Sequence, residues 1–333
     1  MQPFSDLSRR RFLGGALALG ATAALAACGY QEDTGADSGS GTANWSYTDD
    51  RDRKLDGPVP QRIVAQVTAA AALWEFGIRP IGIFGPSKLP NGDKDPLAGN
   101  IDLSTVESLG NVWGEFNYDR YLALRPDLLA SVMYLPDELW YVPAEQAGQV
   151  DQVAPSVGLD LAGVSMPDGI EKFRALAKAL GGDVDAASVT EAKAAWDQAN
   201  TDFAAAVQAA KGKRLMLVSA TQDGIWVGNA QGFPSSKHLD DKGLTFVEPA
   251  APGNGNYWEQ LSWENAGKYE AEVILLDNRF GNLQNADLTS FPTWQQLPAV
   301  RGGHVFGWNP ETPFYYQAAT EQLNSIGTAL RNV

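Results

Sequence analysis

The strongest constraint in this sequence is an alternation of two periodicities. Short apolar runs rich in Val, Ile and Leu recur at strand length at 62–67, 81–84 and 127–132, and again at 214–220, 273–277 and 304–308. Segments with helical spacing or loop composition separate them. Strand-length apolar runs divided by helices imply βαβ units with strands buried on both faces. Two such sets predict an α/β fold of two lobes with mostly parallel sheets. Between the sets the pattern is purely helical. Asp168, with Glu171 three residues on, has capping-box spacing. Ile170, Phe173, Leu176, Ala177 and Leu180 then follow helical spacing up to Gly181-Gly182. A second helix is marked by Val189, Ala192, Trp196, Ala199, Phe203, Ala206, Val207 and Ala210, and ends at Gly212. These side chains read as core stripes. The expected organisation is an N-terminal lobe over 44–167, a single interlobe helix over 168–182 and a C-terminal lobe over 183–333.

The first 43 residues follow a different pattern. Arg9, Arg10 and Arg11 precede Phe12-Leu13, an uncharged apolar stretch runs to Ala27, and Leu25-Ala26-Ala27-Cys28 closes it. A basic region, a short apolar region and small residues before a break have the form of an export signal. The apolar stretch is shorter than the ~20 residues of a membrane span. The arginine pair resembles a twin-arginine export motif, and Leu-Ala-Ala-Cys resembles a bacterial lipobox, whose cysteine is acylated. Cys28 is the single cysteine of the 333 residues. Cleavage after residue 27 removes three Arg and one Asp and takes the net charge from -15 to -17. The Gly-, Ser- and Asp-rich stretch over 28–43 suits a flexible tether. The expected location is the outer face of the cytoplasmic membrane, lipid-anchored at Cys28.

Composition narrows the chemistry. The 40 acidic residues against 25 basic ones argue against nucleic acid as a partner, since its phosphates require a basic face. A single cysteine excludes a disulfide framework and Cys-rich metal sites. Two histidines, His238 and His304, leave little for a multi-His metal centre, and both read as structural. No Gly-x-Ser-x-Gly, Walker motif or strand-borne Gly-x-Gly-x-x-Gly occurs, and Gly253-Asn254-Gly255-Asn256 reads as a loop. An enzyme is not expected, although the acidic residues leave a glycosidase-type carboxylate pair open.

Four segments resemble the iron-siderophore and cobalamin class of periplasmic binding proteins, the partners of ATP-binding cassette importers. Gln61-Arg62-Ile63-Val64, followed by Leu73-Trp74-Glu75-Phe76-Gly77-Ile78-Arg79-Pro80-Ile81-Gly82, is similar to the family's opening strand, helix and Leu-Gly-Val-x-Pro-Val-Gly. Leu109-Gly110-Asn111 and the run from Asn117 through Leu124-Arg125-Pro126-Asp127-Leu128 resemble its Gly-Asn signature and the Ala-Leu-x-Pro-Asp-Leu that follows. Leu261-Ser262-Trp263-Glu264 with Glu270-Ala271-Glu272-Val273-Ile274, and the run from Trp294 through Leu297-Pro298-Ala299-Val300 to Val305, match two further signatures in order. The resemblance implies two lobes bridged by one long helix, a ligand cleft between them and modest closure. It also implies one acidic residue per lobe docking to the permease. By motif these are Asp119, where the family usually has Glu, and Glu264.

Ligand contacts are expected from loops after the carboxy ends of strands. In the first lobe these hold Phe84, Lys88, Trp113, Tyr134 and Trp140. In the second they hold Trp226, Phe233, Tyr257, Trp258, Arg279, Trp308, Tyr315 and Tyr316. Large aromatics give wide contact area with few rotatable bonds, and Arg279 offers a fork for a chelate oxygen. Trp74, Trp196 and Trp294 lie in helical patterns and read as core. The implied function is a monomeric lipoprotein that captures a ferric siderophore and delivers it to an importer, with no cofactor of its own. Both lobes are acidic, which favours a hydroxamate-like chelate. Haem, cobalamin, or an envelope sensor or scaffold role stand as alternatives.

Overall fold

The computed structural model describes residues 44–333, so the export signal, the tether and Cys28 lie outside the described residues. The described chain opens with a hairpin of β1 (Asn44–Thr48) and β2 (Lys54–Pro58). The first lobe continues with β3 (Ile63–Gln66), α1 (Val67–Glu75), β4 (Gly82–Phe84), β5 (Glu107–Ser108), α2 (Tyr118–Leu124), β6 (Leu128–Met133), α3 (Ala144–Val153) and β7 (Ser156–Asp160). Its sheet is wholly parallel, in the order β5-β4-β3-β6-β7. Every residue of the central strands β3 and β6 is buried, which is why their sequences run apolar without alternating. Gln66 turns the chain from strand to helix. Its Oε1 accepts the N–H groups of Thr68 and Ala69 at 2.9 and 3.2 Å, as an N-cap side chain does.

Helices α4 (Met166–Ala179) and α5 (Ala187–Ala209) follow. The second lobe comprises β8 (Arg214–Thr221), β9 (Gly224–Gly228), α6 (Pro234–Asp241), β10 (Thr245–Phe246), β11 (Trp258–Ser262), β12 (Val273–Asp277), α7 (Pro292–Gln296), α8 (Pro298–Arg301), β13 (Val305–Trp308) and α9 (Tyr316–Leu330). Its sheet runs β11-β9-β8-β12-β13, with β10 also beside β8. The two sheets are mostly parallel, as expected. The exceptions in the second are β8–β9 and β9–β11, which pair antiparallel because the short turn after Thr221 returns the chain directly. All six strand runs expected from the sequence are present. The hairpin β1–β2 and strands β5, β7, β9, β10 and β11 are additions to them.

Helix α4 is the element that crosses between the lobes, packing on α1 of the first and α6 of the second. It starts at Met166, ahead of the expected cap at Asp168. Ser165 is the N-cap, Pro167 occupies the first turn, and Ser165 Oγ donates to Asp168 Oδ2 at 2.6 Å. Proline is well placed there, because the first turn leaves its N–H groups unpaired anyway. The long helix is α5, 23 residues, which packs along α9. Its buried side chains Val189, Trp196, Ala199, Phe203 and Ala206 belong to the expected stripe. One apolar core runs from α1 through α4 and α5 to β8 and α9, joining both lobes.

The hairpin is fastened to the first sheet by one buried carboxylate. Asp49, 4% exposed, accepts from the N–H groups of Arg51, Arg53 and Gly158 at 3.0, 3.1 and 3.0 Å and from Arg51 Nε at 2.8 Å. Burial works against its charge, but the Gly158 N–H and Arg51 overcome that and hold it below the ordinary carboxylate range. Asp49→Asn is therefore expected to cost about 2–3 kcal/mol, the loss of charge-assisted hydrogen bonds. Because the folded-state pKa is depressed, this stabilisation is present above the unfolded value of about 3.9 and is lost as pH falls through the folded one. Urea melts of both proteins between neutral and acid pH should converge; a constant gap would refute the assignment.

Candidate functional site

Loops from both lobes meet over a cleft of about 630 Å3. The segment after β4 contributes Ser87 and Lys88, the loop after β5 contributes Asn111, Val112 and Trp113, and the loop after β12 contributes Arg279, Phe280 and Asn282. Carboxy ends of strands in α/β sheets are where such openings form. Among the described residues only Val112, Trp113, Leu122 and Phe280 are exposed large apolar side chains, and all but Leu122 line this cleft.

The first-lobe rim is held by Asn111. Its Oδ1 accepts the N–H groups of Ser87 and Lys88, each at 2.9 Å, and its Nδ2 donates to the Lys88 carbonyl at 2.7 Å. The preceding Gly110 has φ +147°, and a Cβ there would lie 1.6 Å from the Glu115 carbonyl oxygen. Only glycine fits, which gives the Gly-Asn pair its physical meaning.

The floor is an ion cluster. Asp277 ends β12 fully buried, and Arg279 folds back onto it, with Nε donating to Oδ1 at 3.0 Å and Nη2 to Oδ2 at 2.7 Å. The remaining guanidinium nitrogen Nη1 donates to Glu311, which is 6% exposed. Burial lifts the Glu311 carboxyl above its ordinary range against the opposing charge of Arg279. The Arg279 guanidinium is itself disfavoured by burial, but Glu311 and Asp277 more than restore it and raise its pKa. Arg279 thus lines the cleft with each guanidinium nitrogen already bonded to a carboxylate, while one N–H on each of Nη1 and Nη2 stays uncommitted.

Arg279 also lines two adjoining spaces. One, about 400 Å3, lies between residues 95–100 of the first lobe and the loops around Asn278, Asn309 and Tyr315 of the second. The other is a chamber of about 190 Å3 walled by aromatic rings. Those rings form a ladder across the lobes. Trp113 meets Trp140 at 4.7 Å between centroids, Trp140 meets Tyr134 at 5.1 Å, and Tyr134 meets Tyr257 of the second lobe at 6.2 Å. Phe233 follows at 5.2 Å from Tyr257 and 4.8 Å from Trp258. These contacts are edge-on or tilted, the arrangement that ring quadrupoles favour. Tyr257 Oη donates to the Tyr134 carbonyl at 2.5 Å, tying the lobes together beside the chamber.

The fold, the interlobe cleft and the match of residues 88–312 to the family model for periplasmic binding proteins agree. The chain belongs to the periplasmic binding protein family. Among solved structures it is similar to DesE, a ferric-siderophore receptor protein from Streptomyces coelicolor, at 36% identity and a TM-score of 0.81, over 86% of this chain and 98% of DesE. The FhuD protein from S. pseudintermedius shares the fold at 19% identity and a TM-score of 0.61, over 88% of this chain and 99% of that one. The Fe(3+)-citrate-binding protein YfmC of Bacillus subtilis is 21% identical over 275 residues, 82% of this chain and 81% of YfmC.

In this periplasmic binding protein the expected ligand residues divide. Lys88, Trp113, Tyr134, Trp140, Phe233, Tyr257, Trp258, Arg279 and Tyr315 line the cleft or its adjoining spaces. Phe84 does not: it is 1% exposed and packs edge-on to Phe116 inside the first lobe, because its strand is buried on both faces. Trp226 is half-buried on β9 between Ser219 and Gln260 of the neighbouring strands, and lines none of these spaces. Trp308 is fully buried, donating from Nε1 to Ser235 Oγ at 2.9 Å and supporting Phe233 and Trp258 from below. Tyr316 turns away from the cleft and packs edge-on against Phe76. Glu311, Phe280 and Asn282 line the cleft without any signal in the sequence pattern. Glu311 lies in a polar loop with no motif, and its partnership with Arg279 exists only once β12 and β13 are paired.

The other named residues lie elsewhere. Asp119 is exposed in the first turn of α2, whose N-cap Asn117 accepts from the Arg120 N–H at 3.0 Å. Glu264 is exposed in the turn after β11, and hydrogen bonds from the Ser262 hydroxyl and a backbone N–H hold it below the ordinary range. His238 packs on Trp196, bonds Asn200 Oδ1 at 2.7 Å and is pushed down to about 4, chiefly by burial. His304 bonds the Glu272 carbonyl at 3.1 Å. Trp294 and Trp196 are core, whereas Trp74 is half-buried under the Arg79 guanidinium. Among the described residues no His, Cys, Asp and Glu side chains gather as a metal site.

Arg279→Leu would leave Asp277 and Glu311 buried without their counter-ion. It should destabilise the protein by about 3–5 kcal/mol at neutral pH. The Glu311 carboxyl, already raised in the folded state, would rise further in the variant. Protonation then favours the folded form, so the deficit should shrink as pH falls through the carboxylate range. Thermal melts at pH 7 and pH 5 test this; a pH-independent deficit would contradict the ion cluster.

Proposed function

We propose that this protein captures a ferric siderophore in the interlobe cleft and delivers it to an ATP-binding cassette importer. The observation that carries the reading is an aromatic-walled cleft whose floor charges are already paired with one another. Such a site recognises a metal that arrives with its own ligands, through shape and hydrogen bonds. The similarity to DesE, a ferric-siderophore receptor, supports the same class of cargo.

The floor and rim also favour one chelate chemistry. Lys88 and Arg279 are offset by Asp95, Glu311 and the buried Asp277, leaving a small negative excess. A strongly anionic ferric catecholate meets repulsion there that an uncharged ferric trihydroxamate does not. We assign a hydroxamate-type chelate as the preferred ligand, a lipid-anchored mature form beginning at Cys28 and twin-arginine export. Asp119 and Glu264, one exposed carboxylate on each lobe, are assigned to the permease contact, where opposite charge steers docking and fixes register.

Tryptophan-fluorescence titration with ferrichrome, a ferric triscatecholate, ferric citrate, haem and cobalamin tests the ligand assignment. Ferrichrome should bind at least about ten-fold more tightly than the triscatecholate, a difference of about 1.4 kcal/mol. Equal or tighter binding of the triscatecholate would sink the hydroxamate preference, and silence toward every chelate would sink the siderophore reading. For docking, the double variant Asp119→Lys, Glu264→Lys should lose cellular iron-chelate uptake while its affinity in solution stays unchanged. Normal uptake by that variant would remove both residues from the permease contact.

A further inference from the structure

The polar recess of about 400 Å3 beside the cleft holds a carboxylate that the ion cluster does not neutralise. Asp95 is 6% exposed and borders both spaces. Its Oδ1 accepts the Leu97 N–H at 2.9 Å and so caps the short turn Pro96–Ala98, whereas Oδ2 is free among the described residues. Asp95 forms no ion pair among those residues, and the adjacent Lys94 donates from Nζ to the Ile101 carbonyl at 3.3 Å instead. Burial lifts the Asp95 carboxyl above its ordinary range, although the Leu97 N–H works against the rise. A buried carboxylate in this state gains from a cation placed beside it.

Tyr315 is an independent second observation. It is also 6% exposed, it precedes α9, and its hydroxyl makes no hydrogen bond among the described residues. That hydroxyl lies against Gly99: a Cβ there would be 2.6 Å from Oη, and both residues border the recess. Asp95 and Gly99 are the two ends of the same short turn, so the free carboxylate oxygen and the free hydroxyl meet the recess from one place. The phenol stays protonated, because burial first, and then the charges of Glu75 and Glu321, raise its pKa. The charges bordering the recess are Asp95, Glu321 and Arg279. Arg279 brings Asp277 and Glu311 with it, which leaves a negative excess.

The passage from cleft to recess is apolar, since Leu97 and Phe280 border both. It suits an aliphatic chain. At the end of that chain a carboxylate would be repelled by Asp95 and Glu321, and an uncharged group would leave Asp95 without a counter-ion. A primary ammonium brings a positive charge and three donors and needs no acceptor of its own. We propose that the recess receives a primary ammonium carried on an aliphatic arm of the chelate, with Asp95 Oδ2 and Tyr315 Oη accepting its hydrogens. The inference rests on the ferric-hydroxamate reading of the cleft and adds to it the charge of the ligand's tail. The bond to Asp95 is charge-assisted and is the stronger of the two.

The test compares a linear ferric trihydroxamate that ends in a free primary amine with the same chelate N-acetylated, both followed by fluorescence. The wild type should bind the ammonium form roughly ten-fold more tightly, the scale of one charge-assisted hydrogen bond to a buried group. Asp95→Asn keeps the oxygen that caps the turn and should bring the preference below about two-fold. Tyr315→Phe should reduce the preference roughly two- to three-fold, as loss of a neutral acceptor does. The second probe is pentylammonium chloride without iron. It is followed by the side-chain amide resonances of Asn100, which borders the recess, assigned by their loss in Asn100→Ser. These should shift saturably in the wild type and not in Asp95→Asn. Equal affinity of the wild type for the two chelates, an undiminished preference in Asp95→Asn, or unmoved amide resonances would each overturn the proposal. Shifted resonances in a protein that binds neither chelate would support the recess while refuting the reading of the cleft, and equal tight binding of both chelates would do the reverse.

Discussion

The site depends on the need of one buried carboxylate for a counter-ion. Asp277 ends a strand buried on both faces, and an unpaired charge there would cost several kcal/mol, roughly the penalty for any uncompensated buried ion. Arg279, two residues on, folds back to meet it with three donors, one from the backbone and two from the side chain. That fold leaves Phe280 outside, 68% exposed at the cleft. The remaining guanidinium edge reaches Glu311, in the loop after the adjacent strand β13, so the ion cluster also sets the spacing of two loops. Charge balance and loop position have the same origin here.

The lobes are joined more firmly than two lobes on a flexible linker. Helix α4 packs on both, the apolar core continues from one to the other, and Tyr257 and Gly255 of the second lobe contact Tyr134 and Leu135 of the first. Hinge closure requires a few residues that absorb large backbone changes, and a packed helical connection offers few. The cleft is therefore largely formed before the ligand arrives. Preorganisation of this kind gains affinity by lowering the ordering cost of binding, and it makes loop side chains, more than lobe rotation, the adaptable part.

What is legible in the sequence follows from which patterns are local. The six apolar strand runs are legible because most of them are buried on both faces and leave an unbroken signature. Strands β9 and β11 are not. The first is five residues long with glycine at both ends, and the second, at the sheet edge, alternates buried Glu259 and Leu261 with more exposed neighbours. The start of α4 is ambiguous because Ser165 and Asp168 are both competent caps. The bond between them, from Ser165 at the N-cap to Asp168 inside the first turn, is visible only in the structure. The Gly-Asn pair at 110–111 is recognisable as a pattern, but its reason is a backbone approach to Glu115 that excludes any Cβ, a contact without a periodic trace. Glu311 is silent for a related reason: its partner Arg279 lies 32 residues away.

The aromatic residues show where composition stops informing. Trp308, Phe233 and Trp113 belong to one connected set of rings, yet Trp308 is wholly buried, Phe233 forms a wall and Trp113 is 59% exposed. Residue type is nearly constant along the set, so the role changes only with depth below the cleft surface. Depth in turn is fixed by strand register: Trp308 pairs with the buried Asp277 at the end of β13, whereas Trp113 stands beyond the Gly110 turn, on a loop. A buried ring at one end holds its neighbours in place, and those neighbours present rigid faces to the cleft. The core and the cleft wall are therefore one packed structure, and a substitution deep in the ladder acts on the cleft through the rings above it.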